Sequence, residues 1–146
     1  MSAIAPLQLL LVEDNPGDVE LTREALREVA VPCRLAVAGD GAEALRYLRR
    51  EGAHAGAPRP DLVLLDLNLP RLDGRAVLAA VKGDPALREI PVVVLTTSRA
   101  PADVREAYAL HANAYVVKPA DLDAHFAAVR ALVEFWGAVA ARPAHD

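Results

Sequence analysis

The sequence predicts an α/β domain: five parallel strands in one sheet, doubly wound, with helices on both faces. Three observations predict it. Five short apolar runs alternate with five stretches of helical periodicity along 146 residues, the pattern of a parallel sheet with crossover helices. The runs are nearly continuous rather than alternating in polarity, as strands buried on both faces are. Four of them end at charged or hydroxyl residues, so costly polar groups collect at one kind of strand end.

The elements follow in order. Leu7 to Val12 reads as the first strand and ends in Glu13-Asp14. Asn15-Pro16 then opens a helix over 16–30, since Asn caps and Pro suits the first turn. Val31-Pro32 stops it. Cys33 to Ala38 is the second strand. Asp40-Gly41-Ala42-Glu43 matches a capping box and starts the second helix. Residues 51–60 are rich in Gly, Ala and Pro and read as a loop. Leu62 to Leu65 is the third strand, ending at Asp66. Gly74 to Lys82 is a helix. Ile90 to Leu95 is the fourth strand, followed by Thr96-Thr97-Ser98. Pro101 to Leu110 is a helix, Ala114 to Val117 the fifth strand, and Lys118-Pro119 follows it. Asp121 caps a last helix that runs towards Trp136. The core is expected over about 7–136, with residues 137–146 a small, polar tail that frays.

Composition narrows the function classes. At 53% hydrophobic residues the chain can bury a core and is not a disordered one. No apolar run approaches the roughly 20 residues of a membrane span. Met1 to Pro6 carries no Lys or Arg, so no signal peptide is expected. The single cysteine, Cys33, rules out an internal disulfide, fits a reducing cytoplasm, and reads as a small hydrophobe on its strand. The formal net charge is −4 and the largest basic cluster is Arg49-Arg50, which argues against direct DNA binding. The histidines His54, His111, His125 and His145 have no metal-ligand spacing and read as surface residues.

Ligands of such sheets bind outside the carboxyl ends of the strands. That edge would gather Glu13, Asp14, Asp66, Thr96 and Lys118. Carboxylates crowded there repel, and a divalent cation is the simplest compensation. Oxygen ligands without nearby Cys or His point to Mg²⁺, or Mn²⁺. Asp66 could then attack phosphorus, with Lys118 and the Thr96 hydroxyl offered to phosphoryl oxygens. Taken singly, each residue also has a plain reading. Glu13-Asp14 before Asn-Pro suits a helix start, and Lys118-Pro119 suits a turn. The joint pattern over four strand ends carries the functional reading.

Those residues resemble the receiver domains of bacterial response regulators over about Leu7 to Trp136. The matching positions are Glu13-Asp14, the run Leu64 to Pro70 around Asp66 with Asp73-Gly74 behind it, Thr96, and Lys118-Pro119. The resemblance implies a flavodoxin-like sheet of order 2-1-3-4-5 and a phosphoacceptor at Asp66. It implies metal ligation by Asp14, Asp66 and the Asn68 backbone carbonyl, with Glu13 direct or through water; the family commonly has Asp where Glu13 stands. It also implies a cis bond at Lys118-Pro119 and a switch made of Thr96 and Tyr115. The opening Val12 to Asp18, the 51–60 loop and Phe135-Trp136 are similar to small regulators paired with bacterial phytochromes. A sensor histidine kinase is thus the expected phosphodonor, one of phytochrome type being what this similarity implies, and an unidentified downstream protein the expected receiver of the signal. Phe126, Val129 and Val133 are expected to pack on the sheet, leaving Phe135 or Trp136 for a homodimer. A phosphatase of the haloacid-dehalogenase type would need a second acid two residues after Asp66, where Asn68 stands. The expectation is therefore a phosphoacceptor signalling protein rather than an enzyme. A receiver-like protein that binds partners without phosphorylation is the remaining alternative.

Overall fold

The computed structural model describes residues 5–143. Five strands, β1 (Leu7–Val12), β2 (Cys33–Ala38), β3 (Leu62–Leu65), β4 (Val92–Thr96) and β5 (Ala114–Val117), alternate with five α-helices. The helices are α1 (Pro16–Arg27), α2 (Gly41–Leu48), α3 (Gly74–Gly83), α4 (Pro101–Ala109) and α5 (Leu122–Glu134). All strand pairs are parallel and the order is β2-β1-β3-β4-β5. This is the predicted doubly wound sheet.

The unbroken apolar runs have a direct cause. In β3, Val63 and Leu65 face one core and Leu62 and Leu64 the other; β1 and β4 divide in the same way. The first core is closed by α2, α3 and α4 through residues such as Leu45, Leu78 and Ala107. The second is closed by α1 and α5 through Ala25, Val129 and Val133. With both faces covered there is no solvent side on which to place a polar residue. Apart from Gln8 at the start of β1, the polar residues of the three central strands therefore appear only where each strand leaves the sheet.

Side-chain caps fix where the helices begin. Asn15 Oδ1 accepts from the N–H groups of Gly17 and Asp18 at 2.8 and 3.2 Å, Asp40 caps Glu43, and Asp121 caps Ala124. The first helix is shorter than the periodicity predicts, ending at Arg27, and β4 starts at Val92 rather than Ile90. Pro91 has no N–H to offer a ladder, but its carbonyl accepts from Val63.

The expected fraying of the tail is corrected up to Pro143. A five-residue π-helical turn, Phe135–Val139, continues α5. Gly137 lies so close to Val31 that a β-carbon there would stand 2.7 Å from its Cγ1. Arg142 then donates to the carbonyls of Ala5 and Pro6 and pairs with Asp61 at 3.2 Å. The segment carries no amphipathic signal because its packing uses the absence of a side chain. Residues 144–146 lie outside the described residues.

Gly74 sits at the first turn of α3, beneath the chain that leaves β3. A β-carbon there would stand 2.3 Å from the Asp66 carbonyl oxygen and 2.6 Å from Leu67 Cα. Backbone cannot yield as a flexible side chain can. Gly74→Ala should therefore lower stability by about 2 kcal/mol or more, read as the urea midpoint. Gly83→Ala, where nothing lies within 4 Å, should be neutral or stabilising by up to about 1 kcal/mol.

Candidate functional site

Every polar residue singled out at a strand end arrives at the same edge. Glu13 and Asp14 follow β1, Asp66 follows β3, Thr96 ends β4 and Lys118 follows β5. Backbone bonds hold these positions in register: Glu13 N–H to Ala38 O at 3.0 Å, Asp66 N–H to Val12 O at 3.1 Å, and Lys118 N–H to Thr96 O at 2.7 Å. The strand order reverses between β1 and β3, which opens a crevice there.

Lys118 spans that crevice. Its Nζ donates to Glu13 Oε1 at 2.5 Å, Asp18 Oδ2 at 2.7 Å and Asp66 Oδ2 at 3.0 Å. An ammonium has three protons to give, and all are used. Asp66 is anchored from the other side by the Asn68 N–H, 3.0 Å from Oδ1. Thr96 is fully buried, with Asn68 Nδ2 3.5 Å from its hydroxyl.

The charges do not balance. Oxygens of Glu13, Asp14 and Asp66 all lie within 4.8 Å of one another, Asp18 adds a fourth carboxylate, and one ammonium serves them. Burial pushes the Glu13 carboxyl up to about 7 even with Lys118 beside it. Burial alone would lower the Lys118 ammonium, but the bonds to Asp18 and Glu13 outweigh it and hold it above its ordinary range. Two buried carboxylates and an exposed one, Asp14, thus form an oxygen-only group with surplus negative charge and an open side. Those are the requirements of a hard divalent cation that keeps some of its waters.

Several expectations are revised. The peptide bond before Pro119 is trans, as are all bonds among the described residues. Trans is the lower-energy form by about 0.5–1 kcal/mol at such bonds, and the exit from β5 aims Lys118 into the crevice without a cis turn. His125 is not a surface residue: it is 4% exposed. Its spacing of four from Val129 and of eight from Val133, on one face of α5, was the available signal. His54 is partly buried, edge-on to Tyr47 at 5.4 Å, and His111 is exposed. His145 lies outside the described residues. Cys33 is partly buried on β2.

Asp18 was missed as a site residue. It is the third residue of α1, three after its cap, and side chains there lean towards the helix N-terminus, here towards the crevice. Tyr115 on β5 donates its hydroxyl to the Ser98 carbonyl at 2.9 Å, next to the β4 exit. Trp136 packs against the core beneath α5, whereas Phe135 is 48% exposed. No helix among the described residues is long and apolar enough to cross a membrane.

Comparison with known proteins agrees with this fold. Residues 9–130 match the family model of the response regulator receiver domain. The response regulator Rcp1 of Synechocystis sp. is 44% identical over 131 residues, covering 90% of this chain and 89% of that protein. The phosphorylated cyanobacterial phytochrome response regulator RcpA superposes with a TM-score of 0.92 at 49% identity, covering 96% of this chain and all of that one. The Mn²⁺-bound form of Rcp1 superposes with a TM-score of 0.91 at 43% identity, over 95% of this chain and all of that one.

The buried His125 makes stability depend on pH. Burial lowers its pKa, Asp18 opposes this and Lys118 adds to it. Below the ordinary value near 6.5 the unfolded chain takes up the proton more readily than the folded one. This residue's contribution is therefore lost as the pH falls through that value. His125→Gln should show a smaller drop in urea midpoint between about pH 7.5 and pH 5.5 than the parent protein. An equal drop in both would refute it.

Proposed function

The chain belongs to the response regulator receiver family, and on that premise we propose that it accepts a phosphoryl group on Asp66 from a sensor histidine kinase in a Mg²⁺-dependent reaction. The observation that carries this reading is the Asp66 carboxylate itself. It is buried at the sheet edge, grouped with Glu13 and Asp14, and reached by Lys118 at 3.0 Å. A carboxylate oxygen of Asp66 attacks phosphorus. The bond from phosphorus to the donor histidine nitrogen breaks, and the nitrogen leaves with the electron pair. Lys118 then pairs with a phosphoryl oxygen, and the Thr96 hydroxyl donates to another. Glu13, Asp14, Asp66 and the Asn68 carbonyl would hold Mg²⁺ or Mn²⁺, which would neutralise charge on the moving group.

The donor we infer is a phytochrome-type kinase. Support comes from RcpA, a phytochrome response regulator that is 49% identical and known in phosphorylated form. The match to Rcp1 along 89% of its length supports action as a response regulator, and on this reading the signal leaves through protein contacts in the cytoplasm. The protein acts as a phosphoacceptor rather than as an enzyme on a separate substrate. Its surplus negative charge, −4 overall, favours a protein rather than DNA as the downstream partner. Phosphorylation draws Thr96 towards Asp66, and Tyr115 gives up Ser98 to fill the space left, shifting β4 and α4. A homodimer forms through the exposed Phe135, whose ring is held edge-to-face by Trp136 of its own chain at 5.4 Å.

Incubation with acetyl phosphate and Mg²⁺ should add one phosphoryl group to the intact mass. The gain should vanish in Asp66→Asn and in EDTA. No gain under conditions that label a known receiver would instead point to a constitutive binding protein. For the dimer, sedimentation at micromolar concentration should show a two-chain species that Phe135→Ala shifts towards monomer; a monomer throughout would end that part of the reading.

A further inference from the structure

We propose that Asp18 is a positioning residue that keeps Lys118 in the crevice while Glu13 and Asp66 serve a cation. The inference rests on the receiver reading of the same site and adds a residue which that reading does not use. Lys118 holds Glu13 and Asp66, two of the three carboxylates grouped closely enough to take a metal ion. To let those oxygens turn to a cation, the ammonium must loosen its grip on both. A buried ammonium left without a partner is costly, and Lys118 is buried. Asp18 removes that difficulty. Its Oδ2 lies 2.7 Å from Nζ, yet it stands outside the metal group.

The placement of Asp18 suits such a role. It comes from α1, whereas the metal group comes from the ends of β1 and β3. The Asn15 cap receives its N–H at 3.2 Å, and its carbonyl accepts from the Thr22 hydroxyl at 2.9 Å. Its backbone is therefore set independently of the crevice. The Asp18 side chain is 27% exposed and that of Glu13 3%, so Asp18 sits at the mouth. Lys118 can pivot outward onto it and stay within reach of an incoming phosphoryl oxygen. Without Asp18 the ammonium must keep Glu13 and Asp66, and it then competes with the cation for them.

Isothermal titration calorimetry with Mg²⁺ tests this on four proteins: wild type, Asp18→Asn, Lys118→Met and the double variant. Asp18→Asn should weaken Mg²⁺ binding by about tenfold, as loss of a charged hydrogen bond would. In the Lys118→Met background the same substitution should change affinity by less than about twofold. Equal affinity in Asp18→Asn and wild type would overturn the proposal. So would a loss that persists without Lys118, since a distant charge acts on a cation whether or not the lysine is present. A second readout needs only Asp18→Asn. The ¹⁵N resonance of Lys118 Nζ should stay sharp and slowly exchanging with Mg²⁺ in wild type and broaden in the variant; an unchanged resonance counts against the proposal. If wild type takes up neither Mg²⁺ nor a phosphoryl group, the receiver reading falls and this inference with it. Wild type that does both while Asp18→Asn matches it removes only this inference.

Discussion

The structure depends on one buried ammonium. Lys118 is the cation that lets Glu13, Asp18 and Asp66 lie together at the carboxyl edge of the sheet. These groups come from the ends of three strands and the start of a helix. Their contact ties β1, β3, β5 and α1 together at that edge. A buried ion pair of this kind adds little net stability. Its value lies in holding charge where charge will be needed. The imbalance of four carboxylates against one ammonium is a standing deficit that a divalent cation can fill.

That cluster is affordable because the rest of the sheet is built without polar compromise. The three central strands bury apolar side chains in both directions, so their exits are rigidly placed. Backbone bonds carry the register past the last apolar residue into the site itself, as Asp66 N–H to Val12 O shows. Gly74 adds a second restraint, pressing the start of α3 against the backbone of Asp66 and Leu67. The carboxylate is thus held by sheet, helix and lysine together, and little of its orientation is left to chance.

The opposite side of the crevice is tied more loosely. Ser98 receives the Tyr115 hydroxyl on its carbonyl and donates its own to Asp103. Arg75, from α3, pairs with Asp103 at 2.9 Å and with Glu106 at 2.6 Å. These are part-exposed contacts of modest strength. A segment joined by such bonds can rearrange at low cost, whereas the sheet cannot. The contrast between a rigid Asp66 and a lightly tied β4–α4 exit is what a receiver needs in order to turn a local charge change into a surface change.

Sequence alone determined the fold class and which polar residues, Glu13, Asp14, Asp66, Thr96 and Lys118, leave the strands at one edge of the sheet. Burial on both faces writes itself as unbroken apolar runs, and the cost of burying polar groups drives them to the exits. Both are one-dimensional signals. The boundaries of α1 and β4 were less legible, because ends are set by single backbone bonds rather than by periodicity. Asp18 was not seen as a site residue, nor His125 as a buried one. Each is an ordinary helix residue until α1 and α5 dock on the same face of the sheet. The packing of Gly137 on Val31 leaves no pattern at all, since it uses a missing side chain. The trans bond at Pro119 likewise depends on how β5 exits. Tertiary structure decided these points because each is a distance between segments far apart in the chain, and no local pattern encodes such a distance.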